Sequence, residues 1–206
     1  MAAERGEVAP RHADLVAQRR RVALSPLLAH LLGVNQFFTD LLGHTRQHTN
    51  ARLVRWWSEH QCAEPLRFGT RTMYRVRSDG HGVYDENDRR LAFFLEYDRG
   101  TESLRLLAAK LRRYHELALQ GGPTWPVLFV MPDAEREQRL HHLLQQEPST
   151  QPAATASARP SPAEAVWRPI GTTGEPRRLI DLDVLSDRSD DDALDRLDQR
   201  PFPRGH

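Results

Sequence analysis

Leu91-Ala-Phe-Phe-Leu-Glu96-Tyr-Asp98-Arg-Gly100-Thr-Glu102 decides how this chain is read. Its first five residues are apolar without alternation. That is the pattern of a strand covered on both faces, so residues 91–98 are expected at the centre of a sheet. Two carboxylates follow within three residues. Side chains at i and i+2 of a strand share a face, so Glu96 and Asp98 should project together near the strand end. Thr101 and Glu102 then read as the cap of a helix running to about residue 119, closed by Gly121-Gly122-Pro123.

Working outward, Tyr74-Arg-Val-Arg-Ser-Asp79 alternates apolar and polar residues and meets Gly80, which predicts a strand over 74–79 and a turn at Asp79-Gly80. Val83-Tyr84 would begin a return strand, with Asp85 to Arg89 as a polar hairpin tip. Residues 52–59, with two tryptophans and β-branched neighbours, read as another strand. Ser25 before Pro26 is a helix start signal. Leucines, valine and phenylalanine at near-helical spacing carry that helix to about residue 48. Downstream, Val127 to Met131 reads as a short buried strand, and Asp133 caps a helix through Leu144. The expected fold is α/β, with a mixed central sheet of four to five strands flanked by helices.

The 206 residues suffice for one domain with tails. Residues 1–25 are polar and basic and read as an N-terminal remnant or linker. Residues 26–146 form the expected α/β domain. Pro, Ala, Ser and Thr dominate 147–164, which reads as a linker. Trp167 and its neighbours make 165–180 a candidate docking segment, and 181–206 reads as an acidic disordered tail. That tail holds eight Asp against four Arg, a balance of −4, so the net +1 of the chain hides a body of +5. A mildly basic body is compatible with nucleic acid. One cysteine, Cys62, excludes an intrachain disulfide and fits a reducing cytoplasm. No apolar run approaches a membrane span, and no signal peptide is evident.

Among 29 cationic side chains, 28 are arginine and one is Lys110. Lysine is a compact point charge, and it is not equivalent to arginine's planar fork. Lys110 lies at the border of the apolar face of the 101–119 helix. A helix packed across the sheet could bring it to the strand-end carboxylates. Asp79, Glu96 and Asp98 converging there would suit a hard cation such as Mg²⁺. Lysine could then orient water or contact a phosphate. Glu59 and Arg99 are supporting candidates, and Tyr114 sits one helical turn beyond Lys110. His30, Asn35 and His44 lie on the first helix, and His30 and Asn35 are assigned capping, packing or interface roles. Trp56-Trp57 is read as core and His141-His142 as a solvated or packing pair.

The strand and helix order resembles the core of the PD-(D/E)xK, or restriction-endonuclease-like, superfamily. That pattern sets an Asp at one strand end and Glu-x-Lys on the next. Here Asp98 stands in the lysine position, and Lys110 corresponds to a lysine moved to the following helix, as some members have it. A closer resemblance spans about residues 14 to 146. Leu24-Ser25-Pro26, His30, Val34-Asn35-Gln36-Phe37-Phe38, Trp57-Ser58-Glu59, Ser78-Asp79-Gly80, the run from Phe94 to Glu102, and Lys110 with Tyr114 are similar to the replication-relaxation proteins of actinobacterial plasmids and mobile elements. The resemblance implies a role in plasmid replication and DNA relaxation. Members commonly place a winged-helix module ahead of the nuclease-like part, and this chain begins at what reads as its end.

The combined expectation is a cytoplasmic protein that binds or nicks plasmid DNA through a Mg²⁺ site at Asp79, Glu96 and Asp98 with Lys110. It would act alongside replication proteins. Two alternatives stand beside it: a non-catalytic replication or partition adaptor with a nuclease-like fold, and a truncated winged-helix transcriptional regulator.

Overall fold

Proline fixes φ where a helix begins, and here Pro26 opens α1 (Pro26–Gln47), directly after Ser25 in extended conformation. The computed structural model describes residues 25–62, 76–146, 148–157 and 161–185. Val34, Phe37, Phe38, Leu41 and His44 form the buried stripe of α1. Strand β1 (Ala51–Ser58) leads into a single turn, α2 (Glu59–Cys62), and the chain returns as β2 (Gly80–Glu86) and β3 (Arg89–Tyr97). After β3 come α3 (Leu104–Leu119), β4 (Val127–Val130), α4 (Ala134–Gln146), β5 (Ala153–Ala156), β6 (Arg168–Pro169) and a 3₁₀ helix (Leu179–Leu185).

The six strands form one mixed sheet in sequence order. β1, β2 and β3 are an antiparallel meander, and β3, β4 and β5 run parallel. β6 closes the far edge antiparallel to β5. β3 is central, as its apolar run requires, and its alternate residues enter two different cores. Leu91, Phe93 and Leu95 pack with the α1 stripe, with Trp167 and with Leu179, Ile180 and Leu182. Ala92 and Phe94 pack with Leu107, Leu111 and Tyr114 of α3 and with Leu140 and Leu144 of α4. By the same parity Glu96 and Asp98 fall on the α3–α4 side, and Tyr97 falls on the α1 side.

Three expectations differ from this architecture. Of the strand expected over 74–79, residues 74 and 75 lie outside the described residues and 76–79 are not laddered, and Asp79-Gly80 is not a hairpin turn. β2 begins at Gly80, paired with Leu95. The next ladder bond is replaced by a side chain, because the Tyr97 amide donates to Asp79 Oδ2 at 2.8 Å. Gly80 is needed for closeness: a Cβ there would lie 2.8 Å from the Phe38 ring. The true hairpin is at Asn87 and Asp88, with φ of 52° and 59°. Asn and Asp tolerate that left-handed region, so the two-residue turn matches the twist of the strands.

The stretch expected as a linker, 147–164, contributes β5. Ala153, Ala154, Thr155 and Ala156 are all buried. Small residues fit a strand sandwiched between two packed layers, yet they read as low-complexity by composition. The sheet therefore has six strands, more than the four to five expected. The third difference is at the tail boundary. Residues 179–185 form the 3₁₀ helix, Leu182 is buried, and Asp181 accepts from Arg89 at 2.8 Å. Residues 1–24 and 186–206 lie outside the described residues, so the expectations for the N-terminal remnant and most of the acidic tail fall there.

Candidate functional site

The C-terminal end of β3 delivers Glu96 into a cavity of about 210 Å³ between α1 and α3. Its walls include His30, Asp79, Glu96, Asp98, Glu102 and Lys110. Glu96 is almost fully buried. Tyr114 donates to Glu96 Oε1 at 2.6 Å, and the Lys110 ammonium donates to Oε2 at 3.0 Å. Lys110 also lies 3.1 Å from Glu102, which is more exposed. The border position of Lys110 on α3 explains this reach: its stem lies along the apolar face while its head meets the carboxylate. Tyr114 is on the same face one turn on and is itself buried.

On the opposite wall, His30 of α1 places Nε2 3.0 Å from Asp79 Oδ1. The other Asp79 oxygen holds the Tyr97 amide. Asp79 thus anchors the end of the β2–β3 ladder and presents one oxygen to an imidazole. Ser78, fully buried, donates to the carbonyls of Gly80 and Leu95 and fixes the approach to Asp79.

The electrostatics follow from burial and crowding. Burial, and then the charge of Asp79, pushes the Glu96 carboxyl up to about 7, against the opposing pull of Lys110 and Tyr114. Burial works to lower Lys110, but Glu96, Asp79 and Glu102 outweigh it and hold the ammonium above its ordinary value. Tyr114 is raised by burial and by Glu96, so it stays a donor. Its hydrogen bond with Asp79 raises His30, again against burial. The cleft therefore holds a carboxylate poised near neutrality, a firm cation and an imidazole inclined to keep its proton.

Asp98 shares the α3–α4 side with Glu96 but is engaged elsewhere. It makes a bidentate ion pair with Arg136 of α4, through Nε to Oδ2 and through Nη2 to Oδ1 at 3.2 Å. It also accepts from the Gly100 amide at 2.9 Å. Arg136 further donates to the Glu102 carbonyl. Asp98 thus ties the loop after β3 to α4. Glu59 does not line the cleft; it opens α2 and pairs with Arg77 at 3.1 Å. Arg99 donates to the Pro26 carbonyl at 2.6 Å and braces the start of α1.

Among the described residues no group of three His, Cys, Asp or Glu side chains is placed to hold a metal ion. Asp79, Glu96 and Asp98 line the same cavity but do not form a three-ligand metal set, and Asp98 is held by Arg136. Asp79 and Glu96 remain in one cavity, and their mutual repulsion is part of what raises Glu96. Each oxygen of the two carboxylates already has a partner, the Tyr97 amide and His30 on Asp79 and Tyr114 and Lys110 on Glu96, so a hard cation such as Mg²⁺ would have to share these oxygens.

His30 and Glu102 were passed over in the sequence, one as a packing histidine and one as a helix cap. His30 lies four residues before Val34, one turn along the buried stripe of α1, and that spacing was the available signal. Trp57 is core, as expected, and Trp56 stacks on Phe38. Burial pushes the Cys62 thiol up to about 12, which leaves it inert at neutral pH. His141 bonds Thr155 at 2.7 Å in a packing role.

No helix of the described residues is long and apolar enough to cross a membrane. No curated protein matches the chain. A family model described as replication-relaxation matches residues 2–132, which takes in α1 through β4 and every wall of the cleft; α4, β5, β6 and the 3₁₀ helix lie beyond it. With the match covering more than half of its length, this chain belongs to the replication-relaxation family.

Proposed function

We propose that the cleft acts on the phosphodiester backbone of DNA during replication or relaxation of a plasmid or mobile element. The sheet serves as a restriction-endonuclease-like core, with Asp79 and Glu96 as the acidic pair of a PD-(D/E)xK pattern. Lys110 supplies the lysine from α3 in place of the strand position occupied by Asp98. The observation that carries this reading is the 3.0 Å contact between Lys110 and Glu96 in the cavity that also holds Asp79. A lysine spared among 28 arginines reaches the acidic strand end.

Asp79 and Glu96 would hold Mg²⁺, which would supply Lewis-acid polarisation of a phosphate and a bound water of lowered pKa. The chain's own groups do the rest. Lys110 offers a compact cation to a phosphate oxygen as charge builds on it. Tyr114 holds Glu96 in one rotamer. His30 donates to Asp79 and fixes its orientation. The reaction class is strand nicking by hydrolysis, with plasmid DNA as substrate, replication proteins as neighbours and the cytoplasm as its place.

The test is nicking of supercoiled plasmid in Mg²⁺ or Mn²⁺, paired with calorimetric titration of the ion. The wild-type protein should convert supercoiled to open-circular DNA and bind the ion. Glu96→Gln and Asp79→Asn should lose both. Lys110→Arg should keep ion binding and lose most nicking, because a planar fork cannot replace a compact ammonium beside the phosphate. Ion-independent DNA binding with no nicking by the wild type would overturn the catalytic reading. It would favour instead a non-catalytic adaptor, in which Lys110 and His30 serve as permanent counter-ions for the two carboxylates.

A further inference from the structure

β3, β4 and β5 run parallel, and their last residues, Tyr97, Val130 and Ala156, stand side by side in register. In sheets of this kind ligands settle at the carboxyl ends of the parallel strands. On the α1 side these three residues floor a second cavity, of about 360 Å³. Its size falls in the range of small-ligand sites. Tyr97 lines this cavity and the acidic cleft alike.

The cavity exists because of a close approach. α1 crosses the end of β3 at Gly33, where a Cβ would sit 2.3 Å from the Tyr97 ring. The His30 imidazole of the same helix also meets the ring edge-on, with centroids 6.0 Å apart. Trp167, almost fully buried, also lines the cavity and is fixed by its Nε1 donating to the Pro162 carbonyl at 2.7 Å. Small Ala156 leaves the floor open.

The rim of the cavity has directional chemistry. Gln36 donates its amide to Asp40 Oδ1 at 2.7 Å. That bond leaves Gln36 Oε1 and Asp40 Oδ2 as acceptors. Asp40 has no cationic partner among the described residues. Aromatic walls with a carboxylate at the rim do not suit a phosphate; they suit a flat, uncharged ring that presents adjacent donors.

We infer that this cavity binds a single unstacked guanine base of the strand whose phosphate occupies the acidic cleft, an inference that rests on the DNA-directed reading above. Guanine presents N1–H and the N2 amino group side by side, a match for one carboxylate. Adenine and cytosine each place an acceptor beside their amino group, and thymine flanks its N–H with two carbonyls. Stacking between aromatic or apolar side chains and hydrogen bonding to the Watson–Crick edge is how extruded bases are held. Tyr97 separates base from phosphate, so the two cavities read adjacent parts of one nucleotide chain.

The experiment measures binding by fluorescence anisotropy in chelator, so that turnover plays no part. The probes are thymidine hexamers with one central dG, deoxyinosine or dA. The dG hexamer should bind about tenfold tighter than the dA hexamer, the scale of one good bidentate contact. Deoxyinosine, which lacks the N2 amino group, should fall between them. Asp40→Asn should bring dG down to the dA affinity, and Gln36→Ala should reduce the preference in part. Both positions are exposed on α1, so circular dichroism should show an unchanged fold. Equal affinity for dG and dA, or a preference that survives Asp40→Asn, overturns the guanine site while leaving plasmid nicking intact. Loss of nicking in Glu96→Gln with the dG preference retained separates the two sites. Failure of the wild type to bind any hexamer overturns this inference, and only plasmid nicking then sustains the earlier reading.

Discussion

Replacing Lys110 by methionine should destabilise the protein in a way that depends on pH, and the dependence follows from Glu96. Methionine keeps the length and apolar character of the stem and removes the ammonium that lies 3.0 Å from Glu96 Oε2. In the wild type the Glu96 carboxyl titrates at about 7 when folded, against an ordinary value of 4.5. A raised folded pKa means that the group's contribution is most favourable below 4.5 and declines as pH rises to about 7, where the native carboxyl ionises and the decline stops. Without Lys110 the folded value moves higher still, since the ammonium is one of the influences holding it down. The decline then continues past 7 at about 1.4 kcal/mol per pH unit. At about pH 6 native Glu96 is protonated in both proteins, so the variant should lose only a few tenths of a kcal/mol from side-chain packing. At about pH 8.5 the wild type has ionised and the variant has not, so the difference should reach about 2 kcal/mol. Glu102, being exposed, adds little to either figure. Urea unfolding in chelating buffer at the two pH values measures the difference. An equal loss at both, or a larger loss at the lower pH, would show that Lys110 does not compensate a buried titrating Glu96.

Three further outcomes are expected. Asp98→Ala should cost about 3–5 kcal/mol in urea unfolding, because it leaves Arg136 buried without its ion pair, and Asp98→Leu combined with Arg136→Met should recover much of that loss; a cost near zero would mean that the pair is not structural. Gly33→Ala should destabilise by about 1–3 kcal/mol through collision with the Tyr97 ring, and in a double-mutant cycle the cost should shrink on a Tyr97→Leu background; strict additivity would deny the contact. Truncation after Ser157 removes β6 together with Trp167, Leu179, Ile180 and Leu182 from the α1-side core, and the product should lack a cooperative urea transition; a sharp transition would return residues beyond 157 to the role of a dispensable tail.

The sequence made the centre of this fold legible because β3 carries its instructions on both faces. Eight consecutive residues, Leu91 to Asp98, state burial, parity and acidity at once, and a helix signal follows immediately. Strand parity placed Glu96 and Asp98 on one side, and helix phase placed Lys110 within reach of it. What parity cannot state is competition for a side chain. Arg136 lies 38 residues after Asp98, on a helix whose packing angle is set by tertiary contacts, and it takes a carboxylate that sequence spacing alone offered to a metal. His30 is the converse case, since a histidine on a buried helical stripe is ordinary until the partner strand end is known to carry Asp79. β5 was hidden for a third reason: Ala-Ala-Thr-Ala has the composition of a linker, and only the layers on either side of it make small residues the right ones. The turn at Asp79-Gly80 was misread because two roles of glycine look alike in sequence. Gly80 is there for contact with Phe38, and the left-handed backbone needed for the hairpin is supplied instead by Asn87 and Asp88. In each case the deciding energy was non-local, a charge pair, a packed layer or a close approach. The acidic cleft was legible to the extent that its chemistry is written in consecutive strand positions. Its third carboxylate and its histidine depend on which helices arrive beside the strand.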